Sequence, residues 1–266
     1  MKTDFTTFNT NGFLIKKKFF LNKEIVIIQK QISKVILNAC KEINIKTKKN
    51  NFNFAINNIL PQIYKKDKKL GSYVFDTLSR LNIFKDLTNN KKNIKKITEL
   101  LKINKTELLS AKFSLFLFTK LHKSHAIGWH QESGYYSDPN LKSFEYLKKT
   151  NSLFIWIPLT KTKPGNGALI LKPKSHNLKK IIHSKNSFAD RYKVSSNKRG
   201  EVYIQNIEKI SKNYKSKTIS SNPGDIIFVN FNTLHKSGLN TTKKTRVGVI
   251  MRFGERCNST EIIQEK

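Results

Sequence analysis

From residue 22 to 44, Ile25, Ile28, Ile32, Val35, Ile36 and Ala39 recur at intervals of three and four, so a chain wound at 3.6 residues per turn gathers them on one stripe. The spacing predicts an amphipathic helix there, with weaker repeats of the same kind over 55–64, 72–84 and 94–101. The pattern then changes. Beyond residue 107 the apolar runs are short and rich in Phe, Ile, Val and Leu, at 113–118, 153–157, 169–171, 226–229 and 247–253. Gly, Pro and Asn stand between them, which predicts strands joined by turns. Helices first and strands afterwards imply an α+β, mainly β chain: an antiparallel double-stranded β-helix, or jelly roll, with the N-terminal helices packed on one sheet. The expected organisation is a single domain over 1–266, mostly helical through 107, with the jelly-roll core at 108–256 and a C-terminal tail at 257–266. The polar stretch 177–221 has few strand signals and reads as an insertion or a lid over the mouth of the site. No repeat with a solenoid period is present.

Charge raises one alternative. The formal net charge is +33, which attracts polyanions and would suit nucleic acid. Of the 51 basic residues, however, six are Arg and the rest are Lys, spread among abundant Asn, Ile and Phe. An AT-rich codon supply produces that set, so nucleic acid is not the expected partner, and the charge at most favours an anionic small molecule. No charge-free apolar run reaches the roughly 20 residues that span a bilayer. The N-terminus lacks the apolar segment and small-residue cleavage site of a secretory signal. Cys40 and Cys257 are too few for a disulfide framework, so a reducing cytoplasm is the expected compartment.

The chemistry concentrates in Trp129-His130-Gln131-Glu132 and in His235, far downstream. On an extended strand, residues two apart share a side, so His130 and Glu132 would aim an imidazole and a carboxylate at one point. With His235 they make two nitrogens and one carboxylate oxygen, the facial set of non-haem Fe(II) oxygenases, which leaves positions open for a cosubstrate and for O2. His235 follows the turn Asn222-Pro223-Gly224-Asp225 and the apolar run 226–229. A turn-rich bridge then leads to Arg246, Gly248, Ile250 and Arg252, which share one strand face by period two. The guanidinium of Arg246 suits the far carboxylate of a dicarboxylic acid in a two-point fork, and the Ser237 hydroxyl stands two positions beyond His235 to assist it.

These residues, with Gly12-Phe13 near the start, Trp156-Ile157-Pro158-Leu159, Gly165-Asn166-Gly167-Ala168-Leu169, Pro173-Lys174-Ser175-His176 and the Pro-Gly-Asp turn, resemble the phytanoyl-CoA dioxygenase family of Fe(II)/2-oxoglutarate oxygenases over nearly the whole chain. The resemblance implies a cupin-like jelly roll with His130, Glu132 and His235 as iron ligands, Arg246 and Ser237 on 2-oxoglutarate, and Trp156 beside that cosubstrate. It further implies hydroxylation of a C–H bond in a small metabolite, with 2-oxoglutarate and O2 converted to succinate and CO2. Two positions depart from the family's habit. Glu132 stands where Asp is usual, which moves the carboxylate by about 1.5 Å, one carbon–carbon bond. Lys174 stands where Gly is common in the Pro-Gly-Ser-His corner. A carboxylate at 132 also favours hydroxylation over halogenation, because halogenating relatives carry a small residue there.

A single His more often makes structural hydrogen bonds than binds metal, and that is the reading for His122, His125, His183 and His176, the last tying down a corner. Trp129 and Trp156 are read as core or pocket-wall aromatics. Tyr135 and Tyr136, just past the ligand segment, either face substrate or cover the barrel mouth. Two rival functions stay open. Arg246 and Arg252, separated by five residues, together with the charge would suit an oxygenase of alkylated bases in nucleic acid, and a jelly roll without metal chemistry would be a binding protein. Oligomeric state is not legible.

Overall fold

The computed structural model describes residues 2–47, 49–118, 127–135, 147–187 and 200–257. After α1 (Asp4–Asn11) and β1 (Phe13–Lys16) comes α2 (Asn22–Glu42), whose Ile25, Ile28, Ile32, Ile36 and Cys40 form the buried stripe that the spacing predicts. Glu24 starts α2 by accepting the Leu21 N–H at 2.7 Å, one of the donors a helix end leaves unsatisfied. A third helical stretch runs through Phe52–Phe54, a π-helical turn at Ala55–Ile59, and Leu60–Lys66. Further helices occupy Lys68–Leu78, Asn82–Thr88 and Lys91–Leu101.

The single helix expected over 72–84 is therefore two. Leu78 and Phe84 are both fully buried, yet six residues on one helix would set them about 120° apart around its axis. A break after Leu78 lets both point inward, with the N–H of Arg80 reaching the Thr77 carbonyl at 3.1 Å.

The strands build a five-stranded sheet in the order β1-β8-β3-β10-β2, using β2 (Leu108–Phe118), β3 (Leu147–Pro158), β8 (Ile226–Asn230) and β10 (Arg246–Arg256), every pairing antiparallel. Facing it is a three-stranded sheet, β7-β4-β9, from β4 (Leu169–Leu171), β7 (Lys217–Ile219) and β9 (His235–Ser237). Strand alternation divides the core in two. Leu153, Ile155, Ile157, Ile226, Phe228, Val247, Val249, Met251 and Phe253 pack against the helices, while Phe154, Trp156, Ile227, Val229 and Ile250 face Leu169, Leu171 and Ile219 of the small sheet. The expected jelly roll with helices on one sheet is the fold observed. The β10 residues Arg246, Gly248, Ile250 and Arg252 fall on the inner face, as their period-two spacing requires.

The stretch 177–221 holds more strand than its composition signals. β5 (Ser184–Ser187) pairs with β6 (Gly200–Tyr203), and β7 edges the small sheet. Its later part is anchored to the small sheet by Lys172, a buried lysine whose ammonium donates to the carbonyls of Ser211 and Tyr214 at 3.3 and 3.0 Å. The turn at Gly224 is fixed by Asp225, whose carboxylate accepts from the Asn222 N–H, the Lys18 N–H and the Lys17 ammonium at 2.8, 3.0 and 2.9 Å.

Candidate metal centre

His235 opens β9, and the segment 127–130 runs beside it. His130 and His235 exchange backbone hydrogen bonds of 3.0 Å in both directions, and the Ser237 N–H reaches the Ile127 carbonyl at 3.0 Å. This pairing sets the two imidazoles side by side, with ring centroids 4.0 Å apart, and the ring of Phe154 backs His235 at 4.7 Å. Glu132 is not on a strand, as the spacing suggested. It starts a helical turn, Glu132–Tyr135, that bends back toward the sheet, and the Ser133 N–H donates to the Phe231 carbonyl at 3.3 Å. A turn, like a strand, can bring residues 130 and 132 to one point, and the result is the cluster that was expected. One ligand atom from each of His130, Glu132 and His235 lies within 4.8 Å of the others, and all three residues are buried.

The donor set suits a divalent metal. In each histidine the Nδ1 faces a backbone carbonyl two residues back, Gly128 for His130 at 2.7 Å and Thr233 for His235 at 2.9 Å. A carbonyl can only accept, so each Nδ1 carries the proton and each Nε2 presents a lone pair. Both Nε2 atoms face Oε1 of Glu132, at 3.9 Å from His130 and 3.5 Å from His235. Those separations can be spanned by one ion held at the about 2.1 Å typical of a metal–imidazole bond. Burial, reinforced by the neighbouring His235 imidazole, holds His130 well below the ordinary imidazole value, so its ring is neutral at pH 7. Burial works in the opposite direction on Glu132, pushing its carboxyl up, but the Arg252 guanidinium outweighs it and keeps the carboxylate ionised far below its usual range. Arg252 donates through Nε to Oε2 at 2.6 Å and through Nη2 to Oε1 at 3.5 Å, and Oε1 also faces the histidines. The sequence assigned Arg252 no role in the site, although its place on the Arg246 face was legible.

Arg246 is buried on the same inner face, where it donates through Nη1 to the Gly167 carbonyl and lies 4.9 Å over the Trp156 ring. Burial lowers its guanidinium to about 10, still protonated at neutral pH. Thr245, just before it, is gripped by the π-helical turn: its N–H donates to Asn57 Oδ1 at 2.6 Å and its hydroxyl to the Ile56 carbonyl at 2.8 Å. Ser237 shares the His235 face of β9 by alternation and is half-buried. Tyr135 ends the helical turn. Tyr136, His122 and His125 lie outside the described residues. His176 ties a corner, its Nε2 2.9 Å from the Asn9 carbonyl, and Lys174 adopts the left-handed φ of 66° for which Gly is the usual residue. Two ammonium groups lie over the Trp129 ring, those of Lys236 at 4.7 Å and Lys172 at 5.1 Å.

A jelly roll whose interior turns two histidines and a carboxylate on one point is the frame of the non-haem iron oxygenases. The sequence profile of phytanoyl-CoA dioxygenase (PhyH) matches residues 8–248, and the chain belongs to that family, whose cofactors are iron and 2-oxoglutarate. A comparison with curated protein sequences finds no match. Among solved structures, the chain is similar to the epimerase SnoN in complex with Fe3+, alpha ketoglutarate and nogalamycin RO, with a TM-score of 0.59 and 12% identity over 95% of this chain and 82% of that one. It is also similar to EctD from S. alaskensis with 2-oxoglutarate and 5-hydroxyectoine (TM-score 0.57, 14% identity, 94% of this chain and 74% of that one). A third is the alpha ketoglutarate dependent carbocyclase SnoK from nogalamycin biosynthesis (TM-score 0.55, 10% identity, 95% and 83%). At these identities the likeness is one of fold. Among the described residues, no helix is long and apolar enough to cross a membrane.

Proposed function

We propose that this chain is an Fe(II)- and 2-oxoglutarate-dependent dioxygenase that hydroxylates a C–H bond of a small, anionic metabolite. The observation that carries the reading is the convergence of His130 Nε2, His235 Nε2 and Glu132 Oε1 among buried residues, with Arg246 also buried, on the strand that carries the Glu132 partner Arg252. His130, Glu132 and His235 would hold the iron, and Arg246 with Ser237 would hold the distal carboxylate of 2-oxoglutarate, with Trp156 flanking it. Bound there, iron and 2-oxoglutarate supply the activation of O2, with succinate and CO2 as products.

The protein's own part is positioning and exclusion of water. The backbone pairing of His130 with His235 fixes the ring separation, and the Gly128 and Thr233 carbonyls fix the tautomers. Trp156 lies against Arg246 and limits the planes its guanidinium can take. Substrate would enter from the side of the helical turn that ends at Tyr135. An epimerase and a carbocyclase are among the solved structures of this fold, and the carboxylate at 132 favours hydroxylation over halogenation. The test is succinate release across a panel of carboxylate- and phosphate-bearing metabolites. Substrate-linked succinate that disappears in His130→Ala and His235→Ala is the expected result, and undiminished turnover in either variant overturns the ligand assignment.

A further inference from the structure

Residue 131, between the two ligands, is gripped by a segment 48 to 52 residues downstream. The Gln131 N–H donates to His183 Nε2 at 3.0 Å. The fully buried Gln131 side chain accepts the Ile181 N–H at 2.8 Å and donates to the carbonyls of Lys179 and Asn232, both at 2.7 Å. His183 Nδ1 lies 2.6 Å from the Ile181 carbonyl, so Nδ1 carries the proton and Nε2 is the acceptor that the Gln131 amide needs. The imidazole also seats against Gly134 in the helical turn, where a Cβ would fall 2.4 Å from the ring. Only a residue without a side chain lets it lie that close. The strap Lys179–His183 therefore closes over the turn that carries His130 and Glu132, and it continues directly into β5.

The geometry points to His183 as a positioning residue of the metal centre: by accepting from the Gln131 amide it fixes the backbone between two ligands and so sets their relative orientation. This inference rests on the reading of His130, Glu132 and His235 as metal ligands. The distinction from a general packing role is chemical, because the function needs a lone pair at the Nε2 position and not merely a ring-sized filler. Leu at 183 removes the acceptor. Gln at 183 places a carbonyl oxygen near the position of Nε2 and retains it.

The experiment is a Co(II) titration of the metal-free protein, followed by visible absorption, for the wild type, His183→Leu and His183→Gln. Groups that orient metal ligands are typically worth about 10- to 100-fold in metal affinity, so His183→Leu should bind Co(II) at least about tenfold more weakly and His183→Gln should recover most of the loss. Unchanged affinity in His183→Leu, or an equal loss in both variants, overturns the inference. A wild type that takes up no Co(II) removes the metal reading itself and this inference with it, a result separable from wild-type binding with an indifferent Leu variant. If His183→Leu does not fold, the wild type decides by nitrogen NMR: a coupling across the hydrogen bond from the Gln131 amide to His183 Nε2 is expected, and its absence contradicts the assignment.

Discussion

Arg252 Nε sits 2.6 Å from Oε2 of Glu132, and the two side chains are 13% and 2% exposed. The guanidinium spans the carboxylate, with Nη2 3.5 Å from Oε1, the oxygen that also faces the two histidines. It also gives the longer Glu side chain a second point of attachment, where rotation about the added bond would otherwise leave the ligand oxygen loosely placed. Removing one member of a buried pair leaves an uncompensated charge. Arg252→Leu should therefore cost about 3 kcal/mol of stability. Urea unfolding measures this, and the cost should shrink when Glu132→Gln is already present. Equal losses in the two backgrounds would show that the pair is not coupled.

Arg246→Lys tests the cosubstrate anchor. Lysine keeps the charge and loses the planar fork, so 2-oxoglutarate should bind about tenfold or more weakly, or ~1.4 kcal/mol. Anaerobic titration with 2-oxoglutarate in the presence of metal reads this directly, and an unchanged affinity would remove Arg246 from the role.

Gly248 makes room for Trp156. A Cβ there would lie 2.1 Å from Cζ2 and 2.3 Å from Cη2 of the indole, and the same indole supports Arg246. Gly248→Ala should displace the ring at a cost of about 1–3 kcal/mol, with a change in tryptophan fluorescence and weaker 2-oxoglutarate binding. A variant with wild-type fluorescence and stability would contradict the packing described.

Asp225 contributes to the acid-side pH dependence. Burial raises its carboxyl, but the Asn222 N–H, the Lys17 ammonium and the Lys18 N–H outweigh burial and hold it below the ordinary carboxylate value. A group whose folded pKa is depressed contributes stability above its unfolded pKa of about 3.9 and loses it as pH falls through the folded value. Asp225→Asn should thus be destabilised by about 1–3 kcal/mol at pH 7, with the gap to wild type closing as pH falls through the depressed folded value. A gap independent of pH would mean that the side chain acts by shape alone.

Much of this site was legible because strand alternation is strict. Once Arg246 is placed on an inner face, Gly248, Ile250 and Arg252 must follow it, and the structure has them there. Glu132 shows the limit of that logic, since a spacing of two converges on a strand and also across the start of a helical turn. His183 carried no local signal: its partner is a backbone amide, and the fold alone brings them together. The hairpin of β5 and β6 was missed for a related reason. Ser184–Ser187 contains only polar residues and Lys, so its strand form comes from pairing with Gly200–Tyr203 and not from apolar alternation. The helix expected over 72–84 divided because burial of both Leu78 and Phe84 outweighed continuity.

The central claim is that His130, Glu132 and His235 hold a single ferrous ion beside 2-oxoglutarate. Anaerobic titration of the metal-free protein with Fe(II) in the presence of 2-oxoglutarate, followed by visible absorption, measures it most directly. The account predicts saturation at one iron per chain, lost in His130→Ala and in His235→Ala while the metal-free variants remain folded by circular dichroism. Saturation at the same stoichiometry and affinity in either variant would contradict it.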